Sequence, residues 1–398
     1  MAITRKITAQ ISEGSWIRKM FEEGTRLKAR FGSDKVYDLS LGNPDLDPPP
    51  KVIQAIQETA SENPKHCHAY MPNAGVLETR EMIAEDLTET LKLPFTANRV
   101  IMTAGAASAL NILLKVILEP MDEVIVISPY FPEYRFYIDN QGGKMVIAKS
   151  KKDFSLDLEE IERKITKKTR AIIINSPNNP TGRMLKSEEL KALADLLEWS
   201  TVQLGRVIYL ISDEPYRSLL FDGVEYTSPT SFYDNSIIVY SYSKEYALAG
   251  ERIGYLAIHP EAHDGKELFD GATFVNRTLG FVNAPAFMQR VIAKVGRIDV
   301  DVSTYKKRRD FVVSGLRDAG YNVATPDGTF YVFPQTPILN DTLFVRSLQK
   351  KRVLVTPGTG FAWPGYMRLS LCTSIDVIER ALPVIQTVFN EFKEKDPD

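Results

Sequence analysis

The chain has 398 residues, of which 44% are hydrophobic and 25% charged, with a formal net charge of −2. This is the composition of an ordinary folded protein, and the near-neutral balance supplies no electrostatic drive toward nucleic acid or an acidic membrane. The length exceeds one small core and calls for two or three domains' worth of chain.

Residues 13–31 place Trp16, Ile17, Met20, Phe21 and Leu27 at helical spacing and predict a surface helix. Residues 47–50 read as a Pro-rich linker. Short apolar runs at 99–102, 123–127, 144–148, 170–175, 207–212 and 237–240 predict strands, and 107–118 and 187–197 predict helices between them. Runs without polar alternation suit strands buried on both faces, and their alternation with helices predicts a mostly parallel sheet covered by helices. The character changes near residue 290. A charged helix at 302–318 precedes strands at 330–333, 353–356 and 367–370 and a C-terminal helix, which reads as a smaller α+β domain. The expected division is 1–47 as an arm joining the small domain, 48–290 as the large domain and 291–398 as the small one.

Cys67 and Cys372 stand far apart and form no disulfide framework, so a reducing cytoplasm is the expected location. The early basic residues have no apolar run behind them, unlike a signal peptide, and no stretch reaches the roughly 18 apolar residues of a membrane span.

Polar residues and glycines recur at the carboxyl ends of the predicted strands, the edge where open parallel sheets bind ligands. Ser241-Tyr242-Ser243-Lys244 leaves the strand at 237–240, with Arg252 eight residues on. A lysine kept neutral forms Schiff bases with aldehydes, while hydroxyls and an arginine suit a phosphate; a surface turn is the plain alternative. Asp213 ends another strand, followed by Glu214, Pro215 and Tyr216. A buried carboxylate needs a cationic partner such as a protonated pyridine nitrogen; a cap or turn role is the alternative. Asn175-Ser176-Pro177-Asn178-Asn179-Pro180-Thr181-Gly182 is either a structural loop or an amide-bearing recognition loop. Thr103-Ala104-Gly105-Ala106-Ala107-Ser108 opens a helix, whose free N–H groups suit a phosphate. No GxxxxGK[ST] motif occurs.

Taken together, these segments resemble the aspartate aminotransferase superfamily, fold type I of the pyridoxal 5′-phosphate enzymes, in its class I/II branch. The likeness runs in order through Asn-Pro-Thr-Gly, Asp-Glu-Pro-Tyr, Ser-x-Ser-Lys, Arg-Ile-Gly-Tyr and Met-Arg-Leu-Ser. It implies an α/β large domain with a mostly parallel seven-stranded sheet, and pyridoxal 5′-phosphate as cofactor. By the same resemblance Lys244 is the Schiff-base lysine and proton shuttle, and Asp213 partners the pyridine nitrogen. Tyr216 and Asn179 bind the ring's phenolic oxygen. Ser241, Ser243, Arg252 and the backbone of Ala106 and Ala107 hold the phosphate, and Phe131 stacks on the ring. Arg368 clamps the substrate α-carboxylate, with the amide of Gly42 beside it and Asn179 in the substrate site. Tyr70 is lent to the neighbouring subunit's phosphate, which makes the enzyme a homodimer. Some relatives read an acidic substrate side chain with a lysine where this chain has Ala107.

The expected activity is therefore transfer of an amino group from an L-amino acid to a 2-oxo acid, with an aspartate- or aromatic-like range. A β-lyase on the same scaffold is the alternative, and a non-catalytic sensing module is a third reading. His66-Cys67-His68 has no second cluster at metal-ligand spacing, so no metal is expected. The charged residues 306–309 read most simply as a solvated helix face.

Overall fold

A computed structural model describes residues 3–14, 16–63, 65 and 67–394. His66 of the His-Cys-His run lies outside the described residues.

Seven strands form the main sheet: β1 Val100–Thr103, β2 Glu123–Ser128, β3 Lys144–Lys149, β4 Thr169–Asn175, β5 Tyr209–Asp213, β6 Ser236–Ser241 and β7 Gly254–Ile258. Their order is β1-β7-β6-β5-β4-β2-β3. Strands β2 to β6 run parallel, and β7 runs antiparallel to both its neighbours. Six strands fall within two residues of the predicted bounds. The seventh, β7, carries the sequence Gly-Tyr-Leu-Ala-Ile, and its opposed direction is set by a short connection from β6 rather than by anything in its residues.

Successive strand residues point to opposite faces. Val124, Val126, Ile173 and Val239 pack under helices Ala106–Ile117 and Gly265–Thr278. Ile125, Ile172, Ile174 and Leu210 meet helix Ser187–Leu204 on the other face. Val100, Met102, Ile238 and Tyr240 are covered there by helices Pro50–Glu62, Leu77–Leu91 and Ala286–Val295. Double-sided burial is why these strands read as unbroken apolar runs.

A separate core gathers Met20 and Leu39 with residues from Tyr305 to Phe389. It contains helices Ser303–Asp318, Asp341–Lys350 and Ile375–Lys393 and an antiparallel sheet of Thr356–Pro357, Met367–Ser370 and Tyr331–Val332. The expected strand at 353–356 divides: Val353–Leu354 pairs in parallel with Tyr37–Asp38, while Thr356–Pro357 joins Met367–Ser370. The N-terminal helix runs Trp16–Phe31 and is preceded by a helix, Arg5–Glu13, that the sequence reading leaves out.

One expectation is corrected. Residues 306–309 are not a wholly solvated face, since Arg308 and Arg309 are buried at 7% and 2% exposure. Arg308 Nη1 donates to Asp45 Oδ1 at 2.8 Å and to the Leu371 carbonyl at 2.9 Å. Arg309 Nη1 meets Asp222 Oδ2 at 2.6 Å. Both guanidiniums fasten their helix to segments distant in sequence, which local periodicity does not reveal.

Removing the buried Arg308 side chain leaves the Leu371 carbonyl without that donor, so Arg308→Ala is expected to cost about 2 kcal/mol of stability. Lys306→Ala, at an exposed pair, is expected to leave the denaturant midpoint unchanged. Equal effects of the two substitutions in denaturant unfolding would contradict this reading.

Candidate active site

Strands β4, β5 and β6 end side by side, and their carboxyl ends open on a cavity of about 280 Å³. Gly42, Ala106, Ala107, Phe131, Asn179, Asp213, Tyr216, Ser241, Ser243, Lys244, Arg252 and Arg368 all line it. Residues from the sheet, from the helix at Ala106 and from the second core thus converge in one place. Of the residues that the resemblance assigns to cofactor or substrate, Tyr70 alone lies elsewhere, 93% exposed.

Lys244 leaves the end of β6 and turns its amine inward, where Nζ donates to the Gly42 carbonyl at 2.7 Å. Burial lowers its pKa from the usual 10.5 to about 8, and the charges of Arg368 and Arg252 push the same way. Gly42 therefore offers its carbonyl to this amine. A side chain at Gly42 would collide with the Tyr331 hydroxyl, 1.8 Å from where its Cβ would stand.

Asp213, the last residue of β5, is buried at 5% exposure. Its Oδ2 accepts from Tyr134 Oη at 2.5 Å, while Oδ1 has no hydrogen-bond partner among the described residues. Burial raises its pKa to about 7, against the lowering effect of the Tyr134 bond. Asn175 Nδ2 donates to the Asp213 carbonyl at 2.8 Å, and Asn175 Oδ1 accepts from the Asn179 amide at 2.7 Å. One side chain at the end of β4 thus fixes both Asp213 and the loop bearing Asn179.

At one side of the cavity, Gly105 (φ +83°) caps helix Ala106–Ile117. A Cβ there would come within 3.0 Å of Arg252 Nη2 and 3.4 Å of Ser241 Oγ. Ser241 and Ser243 hydroxyls meet at 2.7 Å. Arg252 donates only to the Ala249 and Ala104 carbonyls, at 3.0 and 3.1 Å, and among the described residues it pairs with no acid. Free helix amides, two hydroxyls and an unpaired guanidinium make an anion cup. Glu251 is exposed at the surface and forms no described bond to Arg252.

Elsewhere in the cavity wall Arg368 is 1% exposed. Its Nη1 donates to Asn179 Oδ1 at 3.1 Å and Nη2 to the Ser40 carbonyl at 2.6 Å, while Nε is without a partner among the described residues. Tyr331 and Phe361 flank it, with ring centroids at 4.4 and 5.0 Å. Burial lowers its pKa, and no described carboxylate offsets its charge. A buried guanidinium without a counter-ion is poised for an incoming carboxylate. Tyr216 Oη lies 3.3 Å from Tyr331 Oη.

The chain matches the family model for aminotransferases of class I and II over residues 34–385. This chain belongs to that family. A "Probable aspartate aminotransferase" of Methanocaldococcus jannaschii is 34% identical over 88% of this chain and 93% of its own length. The aspartate aminotransferase of Thermotoga maritima is 33% identical over 94% and 97%. Among solved structures, an amino transferase of Eubacterium rectale superposes with a TM-score of 0.93 at 36% identity, covering 98% of this chain and 99% of that one. Thermus thermophilus aspartate aminotransferase with maleate gives 0.87 at 31%, covering 97% and 99%. The fold and the aminotransferase activity read from the sequence are those of its relatives.

Sequence reasoning about this aminotransferase missed Tyr134, Tyr137 and Tyr331, and named Asn175 only as the first residue of an amide-bearing loop; all four line or border the cavity. Asn175 had a signal, as the polar end of a buried strand. Tyr134 and Tyr137 stand three and six residues after Phe131 with nothing to separate them from core aromatics. No group of three or more residues able to hold a metal occurs among the described residues.

A carboxylate whose pKa is raised in the fold favours the fold most when protonated. The contribution of Asp213 is whole below its ordinary 3.8 and is lost as pH rises through about 7. In the cofactor-free protein, Asp213→Asn is expected to raise the unfolding midpoint at pH 8, with the gain shrinking toward pH 5. A gain that does not vary with pH would count against the burial of an unpaired charge at this site.

Proposed function

We propose that the cavity holds pyridoxal 5′-phosphate and that the enzyme moves an amino group from an L-amino acid to a 2-oxo acid. The observation that carries this is the shared cavity of Lys244 and Asp213: a buried amine with a lowered pKa faces the same space as a buried carboxylate with an unused acceptor. The residues fit the group. Asp213 Oδ1 lacks the donor that a protonated ring nitrogen would be. The cup of Arg252, Ser241, Ser243 and the amides of Ala106 and Ala107 suits a phosphate. Phe131 supplies a wall for ring stacking, and Tyr216 and Asn179 supply donors for a ring oxygen.

When bound, the cofactor supplies an electron sink for the substrate Cα. The chain's own groups do the rest. Arg368 orients the substrate through its carboxylate, accepted in place of the Asn179 and Ser40 oxygens. Lys244 Nζ, about half neutral near pH 8, carries the proton removed from Cα. Asp213, once paired with a ring N–H, remains ionised at neutral pH.

Tyr70, exposed in the single chain, reaches a second copy's phosphate site in a homodimer. A cytoplasmic setting fits the two free cysteines, and no described helix is long and apolar enough to cross a membrane. The small domain comprises 1–47 and the C-terminal part. We place its second boundary after helix Ala286–Val295, a little beyond residue 290, because Val291, Ile292 and Val295 pack in the large core. The cavity's cations in this chain are Lys244, Arg252 and Arg368, and Ala107 offers no charge. Leu110, Phe131, Tyr137 and Tyr331 around them favour an aromatic donor within the aspartate- or aromatic-like range.

With single amino acids added to the holoprotein, loss of the visible band that a 2-oxo acid restores is expected, with aromatic donors effective. Pyruvate and ammonia released from a cysteine conjugate without an oxo acid would establish the lyase instead. Arg368→Lys keeps the charge but loses the two-pronged geometry, and is expected to lower kcat/KM for the donor about a hundredfold.

A further inference from the structure

Lys244 and Glu245 are neighbours in the chain yet serve opposite sides of the sheet's edge. Lys244 enters the cofactor-sized cavity, while Glu245 lines a second cavity of about 90 Å³ with Asp86, Arg217 and Tyr240. Glu245 is buried at 4% exposure. Its carboxylate accepts from the Ser218 amide at 2.6 Å, from Ser218 Oγ at 2.9 Å and from Tyr240 Oη at 2.5 Å. Ser218 lies two residues beyond Tyr216 and five beyond Asp213. One carboxylate therefore ties the turn that carries Lys244 to the turn that carries Asp213 and Tyr216.

The surroundings support this tie. The Arg217 guanidinium lies 4.2 Å from the Tyr240 ring centroid and reaches Asp86 Oδ2 at 3.4 Å. Glu214, the residue after Asp213, accepts from Ser212 Oγ at 2.8 Å and Ser228 Oγ at 2.9 Å on the same side. The arrangement thus repeats: at each of two adjacent strand ends, one residue faces the cavity and its neighbour is a buried, hydrogen-bonded carboxylate. A buried carboxylate is costly unless its lone pairs are filled. Three hydrogen bonds fill those of Glu245, and two of them cross to the neighbouring turn.

We propose that Glu245 is a positioning residue that sets the placement of the Lys244 amine relative to Asp213 and Tyr216. The inference rests on the roles given above to those three residues. Glu245 touches neither substrate nor cofactor. It acts through the backbone of the two turns, where a misplacement of about 1 Å costs on the order of a hundredfold in rate.

The test compares Glu245→Ala, Glu245→Gln and Ser218→Ala as holoproteins. Three quantities are measured: the pH midpoint at which the visible band shifts, kcat and KM for one donor, and the thermal unfolding temperature. Glu245→Ala is expected to move the band midpoint by about half a pH unit or more. It is also expected to lower kcat about tenfold or more with KM little changed. Glu245→Gln keeps the acceptor for the Ser218 amide, and is expected to restore most of both. Lowered unfolding temperature with an unmoved midpoint and kcat would show a merely structural role and overturn the proposal. So would Gln behaving as Ala, because the charge and not the tether would then be at work. Should Glu245→Ala fail to fold, Ser218→Ala decides: a moved midpoint with lowered kcat supports the tether, and an unmoved midpoint and kcat overturn it. A wild-type holoprotein whose band does not respond to pH would instead undo the assignment of Lys244 itself.

Discussion

The desolvation of one amine organises the active site. Lys244 is carried by the end of a strand buried on both faces, so its side chain has nowhere to go but into an enclosed space. There, burial disfavours the ammonium, and two uncompensated arginines, Arg252 and Arg368, disfavour it further. A lysine on an exposed turn would stay charged and inert as a nucleophile or base. The cost is spread over the fold: the Gly42 carbonyl accepts one of the amine's hydrogens, and Gly42 itself has no room for a side chain.

The same enclosure explains the rest of the cavity's electrostatics. Burial raises the pKa of Asp213 and lowers that of Arg368, and among the described residues no cation lies against the first and no carboxylate against the second. Each is a charge awaiting its partner. A site built this way binds by filling vacancies in pairing, because the protein's half of each pair is already out of water and in place. The unpaired groups are held in place by neutral neighbours: Tyr134 for Asp213, Asn179 and the Ser40 carbonyl for Arg368. Those contacts orient without neutralising.

Much of this was legible in the residues. The double-sided strands announce themselves as β-branched runs, and the polar residues that end them mark the binding edge. What was not legible follows from distance along the chain. The direction of Gly254–Ile258 depends on a connection, and the burial of Arg308 and Arg309 depends on Asp45 and Asp222, far away in sequence. Tyr134 and Tyr331 carry no local mark that sets them apart from core aromatics. Glu245 sits beside the most conspicuous residue in the sequence, yet only the fold shows that its carboxylate reaches Ser218.

The central claim is that the Lys244 amine carries the cofactor. Borohydride reduction of the holoprotein, followed by proteolysis and mass mapping, tests it most directly. The account predicts a single pyridoxyl-bearing peptide with the modification on Lys244. A label on another lysine, or none on any, would contradict it.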